Sequence, residues 1–74
     1  MNTPHAWDLK IIADLERDIA RLHAIIGTRT EGEIVRDNLG DSRPETVGQM
    51  RARIARKESG VLDIKRQFPE YFGL

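Results

Sequence analysis

The sequence predicts an all-α fold: an antiparallel hairpin of two long helices with a short connecting helix, assembling into a four-helix-bundle dimer. Three observations carry that expectation. Two long stretches are bounded by helix start and stop residues. Both stretches space their apolar residues at alternating steps of three and four. No segment alternates apolar and polar residues as a half-buried strand does.

The elements follow in order. Thr3-Pro4 reads as an N-cap with proline at the first helical position. No glycine or further proline interrupts the chain before Gly27, whose backbone freedom suits a C-terminal stop. The first helix is therefore expected over residues 4–26, roughly 34 Å long. Thr30-x-x-Glu33 is a capping-box pattern and Gly40 a stop, so a short helix is expected over 31–38. Ser42-x-x-Glu45 is a further capping box with Pro44 in the first turn, which opens a helix over 43–67. Ser59-Gly60 falls inside that helix as a candidate kink. Pro69 closes it, and an aromatic tail occupies 68–74.

The spacing also predicts pairing. Ile12, Leu15, Ile19, Leu22 and Ile26 form a seam on the first helix. Val47, Met50, Ile54, Lys57, Val61, Ile64, Phe68 and Tyr71 continue the same alternation on the other long helix, as in a coiled coil. Antiparallel pairing puts Ile26 with Val47, Ile19 with Ile54, and Ile12 with Val61. Lys57 then opposes Leu15, with its stem on apolar surface and its ammonium near a carboxylate such as Glu16. The same register gathers Trp7, Phe68, Tyr71 and Phe72 at the open end. They are expected either to plug that end or to anchor a partner there.

The first helix carries more apolar surface than one partner helix covers. Its apolar arc, including Ile11, Ile25 and Trp7, spans roughly 140°. A second copy of the chain is the simplest cover, so the expected homo-oligomer interface is Ile11, Leu15, Leu22 and Ile25. Size points the same way. A 74-residue chain with no cysteine has neither a large core nor disulfides to stabilise it.

Composition narrows the function. The chain carries 12 Lys+Arg against 12 Asp+Glu, a formal net charge of zero. Residues 1–42 hold five basic and eight acidic side chains, a net of −3, and residues 43–74 hold seven and four, a net of +3. No apolar run approaches the ~18 residues of a membrane span, and no secretory signal is visible, so a cytoplasmic protein without membrane contact is expected. His5 and His23 lie roughly 27 Å apart on one helix and cannot share a metal. No phosphate loop, nucleophile elbow or metalloprotease motif occurs. The expectation is no enzyme activity, no metal and no cofactor, within one domain over 1–74.

Leu15-Glu-Arg-Asp-Ile-Ala-Arg-Leu22 resembles the first helix of AroQ-type chorismate mutases. That fold needs more chain and several placed cations, so no activity is carried over. Arg51, Arg53, Arg56 and Lys57 are candidate nucleic-acid contacts. Their phases spread around the helix, which favours ion pairing with the acidic half over a groove-reading face. Residues 54–65 resemble a helix-turn-helix, but Ala55 and Gly60 stand five apart where four is usual. The sequence thus points to a small interaction module that binds itself and another protein. Regulators, inhibitors and adaptors encoded by bacteria and phages often have this size. Nucleic-acid binding through residues 43–67 is the alternative.

Overall fold

The computed structural model describes residues 3–36 and 43–74. Two long helices, α1 (Ala6–Ile26) and α2 (Val47–Arg66), pack against each other, and a short α3 (Pro69–Phe72) follows. Between the long helices a two-stranded antiparallel ladder joins β1 (Ile34–Val35) to β2 (Glu45–Thr46). The molecule measures 46 × 20 × 15 Å.

Helix α1 starts two residues later than the Thr3-Pro4 signal suggests. His5 is the N-cap, and its backbone N–H donates to the Asp8 carboxylate at 3.1 Å. Asp8 also places negative charge at the positive end of the helix dipole. The stop falls where expected. Gly27 adopts φ 51°, ψ −122°, and its N–H donates to the His23 carbonyl at 2.9 Å.

The short helix expected over 31–38 does not form in its described part, residues 31–36. Thr30 and Glu33 close a turn instead, with the Glu33 N–H donating to the Thr30 carbonyl at 3.0 Å. Strand β1 then pairs Ile34 with Thr46 and Val35 with Glu45. Two β-branched residues after Gly32 favour extended backbone. The strand turns Val35 into the core at 4% exposure and leaves Ile34 outside at 65%. The expectations placed on residues 37–38 of that helix, on Gly40 and on Ser42 lie outside the described residues.

Helix α2 begins at Val47, not at residue 43. Its cap is Thr46, whose hydroxyl accepts from the Gln49 N–H at 3.1 Å while the Gln49 side chain accepts from the Thr46 N–H at 2.9 Å. The Val47 and Gly48 N–H groups donate to the Glu33 and Glu31 carbonyls at 2.9 and 3.1 Å. Three orphan donors of the helix start are thereby satisfied, two of them by the turn that precedes β1. The helix passes unbroken through Ser59-Gly60. Phe68 takes an extended φ of −133° before Pro69, which opens α3.

The core is concentrated at the turn end of the hairpin. Leu22, Ile26, Val35, Val47, Met50 and Ile54 form one buried cluster, with Ile19 and Ile25 packed on it. Ile12 and Val61 are buried further towards the open end. The expected carboxylate partner of Lys57 proves to be Asp18, at 3.4 Å, rather than Glu16. Leu15 sits beside Gly60, where an added Cβ would meet a Leu15 methyl at 3.6 Å, an ordinary contact. Gly60→Ala should therefore stabilise the protein by about 0.5–1 kcal/mol through helix propensity. A urea midpoint that falls instead would show that the helices cannot accept the methyl.

Candidate functional site

Two sides of the hairpin differ in chemistry. On one side a groove of about 470 Å³ runs between the long helices, lined by Glu16, Ile19, Ala20 and His23 of α1 and by Glu58, Val61, Leu62 and Lys65 of α2. Its floor is apolar and its rim is charged. Leu62 is 43% exposed on this side. Helical phase adds Leu9 and Ala13 to the same side of α1, and Ala55 to that of α2. All three are exposed, so a second apolar stripe lies beside the seam that joins the helices.

Among the described residues, no ion pair neutralises the rim charges of the groove: none involves Glu16, Glu58 or Lys65. The Lys65 ammonium instead stands 5.6 Å from the centre of the Phe72 ring, a cation–π arrangement that holds it at one end of the groove.

The opposite side carries a cleft of about 290 Å³ lined by Leu15, Arg53, Arg56, Lys57 and Gly60. Three of the four candidate nucleic-acid contacts thus converge, contrary to the spread read from the helical wheel, while Arg51 is exposed elsewhere on α2. Arg53 pairs with Glu45 and Lys57 with Asp18, so carboxylates already face two of the three cations.

Of the expected oligomer contacts, Ile11, Leu15 and Ile25 are half-buried. Leu22 is fully buried in the hairpin core and has no surface left for a second chain. Its seam position against α2 explains this, since the same phase cannot serve both helix pairing and an outer contact.

The aromatic residues do not close into a plug. Trp7 is 69% and Tyr71 48% exposed, while Phe68 and Phe72 are half-buried. Antiparallel pairing brings the two segments to one end. However, Trp7 shares its side of α1 with Ile11, whereas Phe72 lies under Lys65 on the groove side. Tyr71 and Phe72 meet edge to face with centroids 4.9 Å apart.

The groove residues Glu16, Ala20, His23, Glu58, Leu62 and Lys65 were not singled out by seam spacing. Their signal was present as the parallel stripe Leu9, Ala13, Ala20 with Leu62, one phase step from the seam. Among the described residues no group of three or more His, Cys, Asp or Glu is placed to hold a metal, and no helix is long and apolar enough to cross a membrane. No protein-family model, no curated protein and no solved structure matches the chain.

Proposed function

We propose that this chain is a small non-enzymatic interaction module that acts as a homo-oligomer and engages another protein, as a regulator, inhibitor or adaptor in the cytoplasm would. The observation that supports it most is the apolar-floored groove with Leu62 exposed, which the chain's own helices leave uncovered. A hairpin this small gains burial most directly from a second copy. The exposed Trp7 and Tyr71 at the open end are the anchors offered to a different protein, since large aromatics dominate interface energetics.

Light scattering coupled to size exclusion tests the first part. At tens of micromolar the mass should be at least twice the 8.5 kDa of the chain. A clean monomer there removes the self-association reading.

The alternative, nucleic-acid binding, draws on the convergence of Arg53, Arg56 and Lys57 at one cleft. Pairing of two of them with carboxylates argues against it. Binding to generic DNA or RNA at low salt that weakens steeply as salt rises would reverse this preference.

A further inference from the structure

We propose that the groove receives a second copy of this chain, packed face to face, with the two-fold axis crossing α2 at Leu62 and the two α2 helices antiparallel. The proposal rests on the self-association read above and adds the face, the axis and the pairing.

Charge selects the orientation. Along the groove edge of α2, Glu58 stands four residues before the exposed Leu62 and Lys65 three residues after it. The two signs are thus set about one turn on either side of an apolar centre. The Asp18–Lys57 pair and the Leu15–Gly60 approach fix the axial alignment of the hairpin, and Glu16 lies level with Glu58. Two closed arrangements can stack this face on itself. An axis running along the helices lays α1 on α2 of the second copy at the same level, which sets Glu16 against Glu58. An axis running across the helices at Leu62 lays α2 on α2 antiparallel. That sets Glu58 of each copy against Lys65 of the other, twice. Only the second arrangement sets Glu58 against Lys65, neither of which joins an ion pair among the described residues, and like charges brought together would oppose the first.

An axis at Leu62 lies off the middle of the 46 × 20 Å face, so the two copies overlap over only about 30 Å of its length. That is on the order of 600 Å² per partner, below the ~800 Å² of a standard interface, so charge pairing rather than area carries the contact. On the α1 side the small residues Ala13 and Ala20 permit close approach of the second copy. The ring of Phe72 orients the Lys65 ammonium before docking.

The chain has no cysteine, so a single introduced thiol reports the axis. Leu62→Cys should oxidise to a disulfide-linked dimer in high yield, and Ile11→Cys, on the opposite side, should not. Lys65→Glu and Glu58→Lys should each raise the dimer dissociation constant at least tenfold, while an equimolar mixture of the two variants should recover dimers. That recovery separates charge pairing from any folding defect. Trp7 emission should stay red on dimerisation, because its side of α1 remains open. If wild type is dimeric but Ile11→Cys cross-links, Leu62→Cys does not, and Trp7 emission shifts blue, the proposed face is overturned while self-association stands. If wild type is a monomer, both fall.

Discussion

Leu22→Ala is expected to destabilise the protein by about 2–5 kcal/mol, the range for leucine truncation in a core that cannot fully collapse. Leu22 is 0% exposed and belongs to the cluster that joins α1, β1 and α2. Its truncation leaves a cavity in the cluster to which both long helices and the ladder contribute. Small domains have a total stability of only about 5–15 kcal/mol, so a change at the upper end would leave little folded protein. Arg56→Ala provides the comparison. Arg56 is exposed on the side of α2 away from the groove, and its truncation should change stability by about 0.5 kcal/mol or less. Both urea melts must be run at one protein concentration, because the proposed self-association would add to apparent stability. Equal shifts for the two variants would overturn the core assignment.

Gly27→Ala should cost about 1–3 kcal/mol, by backbone strain rather than by collision. The nearest atom to an added Cβ is the Ala24 carbonyl oxygen at 3.7 Å, an ordinary contact. The conformation itself is the obstacle: φ 51° with ψ −122° lies outside even the left-handed helical region open to L-residues. Gly32→Ala is the control, since nothing lies within 4 Å of an added Cβ and φ is not positive. There the unfolded chain loses freedom and stability should hold or rise by about 0.4–1 kcal/mol. Comparable destabilisation of both variants would remove the torsional explanation for Gly27.

The two long helices were legible because each is written twice in the sequence, in its period and in its stop signal. Gly27 and Pro69 mark ends that the structure respects. The helix starts were less legible because several residues compete for each cap. Thr46-x-x-Gln49 is as good a capping box as Ser42-x-x-Glu45, and the carbonyls of Glu31 and Glu33 favour it by bonding to Val47 and Gly48. Those carbonyls belong to a distant turn, which local pattern does not reveal. The ladder was hidden for the same reason. Two-residue strands carry no periodicity, and what selects them is the burial of Val35 against residues from both helices. At the groove the chemistry was legible only in part. Seam spacing identifies what joins α1 to α2, but the outer stripe through Leu62 becomes visible only once the seam is known to be occupied.

The position of the core at the turn end divides the molecule into a welded base and two prongs. Around Leu22, Val47 and Met50, separation of the helices exposes a full cluster and approaches global unfolding. Near Trp7 and α3 the prongs hold fewer buried side chains, so local opening there demands far less free energy. Fraying should therefore begin at the tips while the base keeps its form, so amide exchange near Trp7 and α3 is expected to run far faster than around Leu22 and Met50.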